Sequence, residues 1–213
     1  IKDMKKLIPI LLAVFALASC EKDPDMDKLD NDYLVYTNYD KKANFKEFHT
    51  YYLPDKILVI NDKTEPEYLE GEGAQEILAA YKSNMDARGY TMAATKEEAD
   101  LGVQVSYIKS TYYFTDYGYP QWWWGYPGYW GSGYWGNWGG GWYYPYAVNY
   151  SYSTNSFITE IVNLEAPEGA KEKLPVLWTS YMSGLAYSSS INKTLAVRAV
   201  NQAFAQSPYL TNK

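Results

Sequence analysis

The sequence has very little of the chemistry that most enzymes and metal proteins use. Its 213 residues include one Cys and one His. A single Cys excludes a disulfide framework within the chain. A single His makes the usual zinc sites and the Ser-His or Cys-His catalytic pairs improbable. The formal net charge of −6 argues against nucleic acid as a partner, because phosphate binding requires a basic surface. We therefore expect neither a metal site nor another cofactor.

The position of the one Cys points to a lipid anchor. Residues 7–18 form an apolar run after two lysines, which has the length of a signal peptide and is too short to span a bilayer. The run ends in the sequence LASC at 17–20, which resembles the lipobox of bacterial lipoproteins. This resemblance implies a signal peptide of residues 1–19, cleavage after Ser19, and acylation of Cys20, which would hold the protein on a membrane. The alternative is a plain secretory signal with an incidental Cys.

Residues 20–32 are acidic and contain no aromatic residue, so we expect a solvated tether. Within it, Lys22-Asp23 with Asp25 resembles the signal that sends some Gram-negative lipoproteins to the outer face of the outer membrane. That resemblance implies a lipid-anchored, surface-exposed protein. A featureless acidic linker, and a protein that faces the periplasm, are the alternatives.

Residues 33–213 have the pattern of a single α+β domain. Two segments carry apolar residues at helical spacing, the first over 70–89 and the second after a serine cap at 188–190. Six other segments have the composition of strands: 33–39, 49–53, 57–60, 101–108, 156–164 and 174–187. Segment 57–60 is either a separate strand or the continuation of 49–53. We predict a mixed, mostly antiparallel sheet of about five strands, with both helices on one face and a long aromatic hairpin. The first helix and strand 101–108 are expected to belong to a β-α-β unit.

The spacing of individual side chains gives finer expectations. Strand 101–108 alternates apolar with small or polar residues, which predicts one buried face. In the last strand, Val176, Trp178 and Met182 are expected on one side. Gly89 is expected in the left-handed conformation that ends a helix. The buried helix stripes are expected to be Ala74, Ile77, Leu78, Tyr81 and Met85 in the first helix, and Ala196, Ala199, Val200, Ala203 and Phe204 in the second.

The insertion at 112–150 has an unusual composition. It contains seven of the eight Trp, and no charged residue occurs between Asp116 and Glu160. Gly and Pro interrupt the run too often for a helix. We therefore predict that strands 101–108 and 156–164 pair as a long antiparallel hairpin with this segment at its far end. The candidate ligand-binding residues are Trp122, Trp123, Trp124, Tyr126, Tyr129, Trp130, Tyr134, Trp135, Trp138 and Trp142.

Three interpretations of these aromatic side chains stay open. They could bind a polysaccharide, because sugar faces stack on Trp and Tyr rings, which offer a large contact area at low entropy cost. They could contact an envelope protein or a bilayer, since Trp and Tyr favour membrane interfaces. They could also be a structural hairpin that covers the sheet face left bare by the helices.

Few side chains qualify as catalytic groups. Glu160 lies in a strand where a second acid would make a glycosidase-like pair, but no spacing identifies that acid. Asp40 and Asp100 occupy turn and strand-end positions, where acids usually accept hydrogen bonds from backbone N–H groups. His49 has no accompanying catalytic partners and is expected at the surface. We therefore expect a binding or structural role and not an enzyme.

The order of several short motifs resembles a bacterial lipoprotein family, the domain of unknown function 4136. The motifs are Tyr39-Asp40, Phe45, Thr50-Tyr51, Gly89-Tyr90, Ala99-Asp100, Leu177-Trp178 and Ser207-Pro208. The similarity extends over roughly residues 33–210, which is nearly all of the chain after the predicted cleavage. The resemblance implies a lipoprotein with a single α+β domain. Because the family has no established activity, it implies no catalytic residue.

Overall fold

The computed structural model describes residues 33–61, 63, 65–109, 142–146, 155–165, 174–187 and 190–213. They belong to one compact unit, Asp32–Lys213. The predicted signal peptide, the tether and Cys20 lie outside the described residues. The elements are β1 (Leu34–Tyr39), β2 (Thr50–Tyr52), β3 (Ile57–Ile60), β4 (Glu67–Leu69), α1 (Glu72–Ala87), β5 (Thr91–Met92), β6 (Leu101–Ile108), β7 (Trp142–Tyr143), β8 (Ser156–Asn163), β9 (Leu174–Ser183), β10 (Ala186–Tyr187), β11 (Ser190–Ile191) and α2 (Lys193–Ala205).

Nine of the described strands, including the two-residue β7, form one open mixed sheet. Its main order is β1-β9-β8-β6-β2-β5; β3 also pairs with β6, β4 with β3, and β7 with β9. The three longest pairings, which join β1, β9, β8 and β6 in turn, are antiparallel. The predicted mixed α+β class is confirmed. The predicted number of about five strands is too low, because β4, β5 and β7 are too short to show a strand period.

Strand β6 is the centre of the sheet. On one side it pairs antiparallel with β8 over its whole length. On the other side it pairs parallel with two short strands in succession, β2 beside Leu101 and Gly102, and β3 beside residues 106–108. Since α1 lies in the connection between β3 and β6, the predicted β-α-β unit is present.

Both helices pack on the same face of the sheet, and the buried stripes of α1 and α2 contain every residue predicted for them. Gly89 has a φ of 95°, and the N–H of Tyr90 donates to the carbonyl of Met85 at 3.2 Å, as a left-handed helix end requires. The predicted serine cap of the second helix is wrong. Asn192 is the cap, since its Oδ1 accepts the N–H of Leu195 at 3.1 Å, whereas Ser190 belongs to the extended β11.

The face of the sheet that points away from the helices is also buried in its central strands. All eight residues of β6 are buried, including Gln104 and Ser106, so the prediction of a single buried face is wrong. The physical reason is a second apolar cluster on this face, which consists of Leu58, Ile60, Ala99, Ile108, Ile158, Val162, Leu164, Leu174, Val176 and Tyr181.

One residue of β9 faces opposite to the prediction. Trp178 and Met182 pack with the helices, but Val176 belongs to the second cluster. The register between β8 and β9 shifts between Ile161, which lies opposite Trp178, and Val162, which lies opposite Val176. The extra residue of this bulge changes the side to which Val176 points.

Candidate functional site

Two of the motif residues form a reciprocal backbone clamp between strands. The Asp100 Oδ2 atom accepts the N–H of His49 at 2.6 Å and the N–H of Thr50 at 2.9 Å. In return, the Thr50 Oγ1 atom accepts the N–H of Asp100 at 2.9 Å. The clamp joins the start of β2 to the start of β6. The expectation that Asp100 accepts from backbone N–H groups is confirmed, and the same holds for Asp40, whose Oδ1 accepts the N–H of Lys42 at 2.9 Å.

A second pair of motifs meets at the C-terminal end of the chain. The fully buried indole of Trp178 donates from Nε1 to Ser207 Oγ at 2.8 Å, and the hydroxyl of Tyr209 donates to the same oxygen at 3.2 Å. The ring of Tyr209 in turn stacks on Tyr39, with 3.6 Å between ring centroids. These contacts attach the segment after α2 to β9 and β1. They stabilise the fold and bring no reactive groups together.

The other titratable candidates are also placed by the structure. His49 is exposed, as predicted, and its Nδ1 lies 2.7 Å from Nδ2 of Asn212. Glu160 is fully buried against the second apolar cluster, where its Oε1 accepts the hydroxyl of Tyr144 at 2.5 Å. Its direct neighbours across the sheet are Gln104 and Thr179, so these strands do not provide the second acid of a glycosidase-like pair.

The predicted aromatic hairpin is confirmed at its base. Strands β6 and β8 pair from Leu101 opposite Asn163 to Ile108 opposite Ser156, and the N–H of Asn155 donates to the carbonyl of Ile108 at 2.7 Å. Of the candidate ligand-binding residues, Trp142 lies in β7, whose backbone pairs parallel with Leu174 and Pro175 of β9. The candidates between 122 and 138 lie outside the described residues.

A pocket of about 630 Å³ lies near the base of this hairpin. It is formed where β3, β4, the end of β6, and the starts of α1 and α2 meet. The lining residues are Val59, Glu67, Tyr68, Leu69, Glu70, Gly73, Ala74, Ile77, Tyr107, Lys109, Asn155, Ile191 and Lys193. This site was missed in the sequence, because its lining comes from five segments that no motif connects.

The rim of the pocket carries paired charges. Glu67 lies 3.6 Å from the ammonium of Lys109 and 2.6 Å from that of Lys63. The hydrogen bond from Lys63 is the main reason why the pKa of Glu67 lies below its ordinary value. On the helix side, Lys193 contacts Glu76 at 2.6 Å, and this hydrogen bond raises the pKa of Lys193. Both signs of charge are therefore present around the opening.

The buried Tyr107 connects the pocket to the hairpin base. Its hydroxyl donates to Asn155 Oδ1 at 2.9 Å, and its ring lies 5.0 Å from that of Phe157 between centroids. Asn155 has a φ of 59°, a left-handed conformation that Asn adopts more readily than most residues. The end of β6 and the start of β8 are thus fixed to each other where they line the pocket.

Fold and motifs together define a small α+β domain in which Thr50, Asp100, Trp178 and Ser207 stabilise the architecture. The chain belongs to the family described as domain of unknown function (DUF4136), whose sequence profile matches residues 35–209. For this family no specific activity is established.

Several solved structures are similar to this chain. The crystal structure of a DUF4136 family protein from Bacteroides thetaiotaomicron shares 72% sequence identity over 86% of this chain and 100% of that chain, with a TM-score of 0.79. The PelC dodecamer from Paraburkholderia phytofirmans has 10% identity over 85% of this chain and 99% of that chain, and its TM-score of 0.41 is too low to carry an argument. No curated protein matches the sequence.

Proposed function

We propose that this chain is a cell-envelope lipoprotein held on the outer membrane through Cys20, with a binding or structural role and no catalytic one. The observation that carries the proposal is that the one Cys of the chain follows Leu17-Ala18-Ser19, directly after an apolar signal-like run. In the part of the chain that the structure describes, no helix is long and apolar enough to cross a membrane. Acyl chains on Cys20 would supply the membrane affinity.

The anchor is tested by changing Cys20 to Ala in the full chain expressed in a Gram-negative host. We expect the wild-type protein to fractionate with membranes and C20A to be released, because only a Cys can carry the acyl chains. Ser19→Ala is the matched control, since it keeps a small residue before Cys20 and should leave processing intact. Intact-mass spectrometry of the native protein that found an unmodified Cys20 would contradict the anchor.

We further propose that the aromatic segment 112–150 contacts glycan. The antiparallel pairing of β6 with β8 supports this idea. These two buried strands flank the segment in the sequence and would hold its two ends close together. Its side chains suit stacking on sugar rings. A protein or membrane contact is the alternative for the same residues.

Intrinsic fluorescence tests the choice of ligand. Seven of the eight Trp lie in this segment, and the eighth, Trp178, is fully buried and gives a constant background. We would titrate the protein with polysaccharides, peptidoglycan fragments and lipid vesicles. A saturable change with a polysaccharide supports glycan binding, and one with vesicles supports membrane contact instead. Unchanged emission with every ligand counts against both.

A structural role is the second candidate, and one contact favours it. Tyr144, which belongs to the aromatic segment, packs on the second apolar cluster and donates to the buried Glu160. Beside it, β7 adds to the sheet next to β9. At least this end of the segment therefore forms part of the domain.

Tyr144→Phe tests the structural role, with the adjacent Tyr143→Phe as control. Tyr144 donates to the side chain of the buried Glu160, whereas Tyr143 is 44% exposed. We expect Y144F to lower the free energy of unfolding by about 0.5–1.5 kcal/mol, the usual net contribution of one hydrogen bond, and Y143F to change it little. Equal stabilities in urea unfolding would remove the support for this candidate.

A further inference from the structure

The floor of the pocket beside the hairpin base is aliphatic. Val59 and Ile77 are buried at its bottom, while Leu69 and Ile191 are partly exposed at its sides. Its volume of about 630 Å³ lies within the range of small-molecule sites, roughly 300–1,000 Å³. The branched aliphatic side chains of the floor offer no flat ring for stacking on a sugar. Two tyrosines also line the pocket, but the hydroxyl of Tyr107 is bound to Asn155 and the ammonium of Lys56 lies 4.0 Å from the centre of the Tyr68 ring. The floor therefore suits an alkyl chain better than a glycan.

The rim adds a requirement on the head of the ligand. Two acidic residues, Glu67 and Glu70, and two basic residues, Lys109 and Lys193, belong to the lining. The side chains of both lysines are about half exposed, so their present ion pairs are weak and exchange readily with a ligand. A purely anionic or purely cationic head would meet charges of its own sign, whereas a head with both charges would find partners for each.

From floor and rim together we infer that this pocket binds a single-chain amphiphile with a zwitterionic head. The alkyl chain lies on Val59, Ile77 and Ile191, and the head lies among the four charged side chains of the rim. The inference concerns described residues only and does not depend on the proposed anchor or on the aromatic segment.

Gly73 offers a direct way to close the pocket. It lies in the first turn of α1, and a Cβ added there would meet no atom within 4 Å. Gly73→Ala therefore fits without strain and leaves most of the volume open. Gly73→Phe places a ring in the space where the alkyl chain would lie. The two variants differ in pocket volume at the same backbone position.

The experiment uses the full chain with Cys20→Ala, so that no acyl chain of its own competes. The probe is dodecylphosphocholine, kept below the concentration at which it forms micelles. Binding is followed by methyl NMR signals of Ile77 and Ile191, with Ile158 in the opposite cluster as internal reference. Phosphocholine without a chain and dodecyl maltoside with an uncharged sugar head are the comparison ligands.

We expect saturable shifts of Ile77 and Ile191 with dodecylphosphocholine, no binding of phosphocholine, and weaker binding of dodecyl maltoside. G73A should bind like the parent chain, and G73F at least about tenfold more weakly. Lys193→Glu should weaken binding, whereas Lys82→Glu, which changes another helix-surface lysine, should not. If G73F does not fold, the comparison of K193E with K82E tests whether the probe binds in this pocket.

Three results would overturn the inference. The first is the absence of a saturable shift at Ile77 and Ile191. The second is an affinity that neither G73F nor K193E changes, because the probe would then bind elsewhere. The third is equal affinity for dodecyl maltoside, because the pocket would then not require a zwitterionic head.

Discussion

Asp100 offers the sharpest test of whether the motif residues are structural. Asp100→Ala removes the oxygen that accepts two backbone N–H groups, those of His49 and Thr50. Hydrogen bonds to a charged group contribute about 1.5–3 kcal/mol each, but water can replace the acceptor at the exposed His49. We therefore expect the free energy of unfolding to fall by about 2–4 kcal/mol in D100A.

Asp100→Asn separates the charge from the geometry. Both N–H groups donate to the same oxygen, Oδ2, so an amide oxygen in that place can still accept both. We expect D100N to cost about 1–2 kcal/mol, half the loss in D100A, because neutral hydrogen bonds are roughly half as strong as charged ones. Urea unfolding measures both variants, and Asp55→Ala at an exposed turn is the matched control.

The reciprocal bond allows a further check by a double-mutant cycle. Thr50→Val removes the Oγ1 that accepts the N–H of Asp100 and keeps the branched shape. If the two residues act as one clamp, D100A and T50V should be non-additive by about 0.5 kcal/mol or more. A D100A protein as stable as the Asp55→Ala control would refute the structural interpretation of this motif.

Two other predictions concern stability. Ser207→Ala should lower the free energy of unfolding by about 1–3 kcal/mol in urea unfolding, because the buried Nε1–H of Trp178 loses its acceptor, whereas Ser83→Ala on the exposed surface of α1 should change little. A second prediction concerns high pH. Burial raises the pKa of Tyr81 and of Tyr51 above the ordinary value of 10.0. Their contribution to the free energy of unfolding should be fully present below pH ~10. Above that pH it should fall by about 1.4 kcal/mol per pH unit for each such tyrosine, because the unfolded chain loses the proton first. Tyr81→Phe should make this fall less steep, and an unchanged slope in alkaline unfolding curves would contradict the assignment.

The parts of the fold that could be predicted are those that depend on a local sequence pattern. The stripe from Ala74 to Met85 repeats at three and four residues, and all its members are buried as expected. Gly89 could be placed because a left-handed helix end favours one residue type. The pairing of β6 with β8 could be predicted because the two strands lie on either side of segment 112–150, whose composition is not that of a helix.

The errors arose where long-range packing decides the outcome. Gln104 and Ser106 look like the solvent face of a strand, but a second apolar cluster buries them. Val176 changes sides because of a bulge that depends on the register with β8. The pocket brings Val59, Gly73 and Ile191 together from distant segments. A single sequence without these contacts holds no signal for any of the three.

The motifs that identify the family and the residues that line the pocket are separate sets. Thr50 with Asp100, and Trp178 with Ser207, hold strand ends and the C-terminal segment in place. None of these four residues lines the pocket. A motif-based match therefore identifies the architecture and leaves the ligand open. Ligand binding in the proposed pocket depends on lining positions such as Gly73, and changes there should alter binding while the fold and the family motifs stay the same.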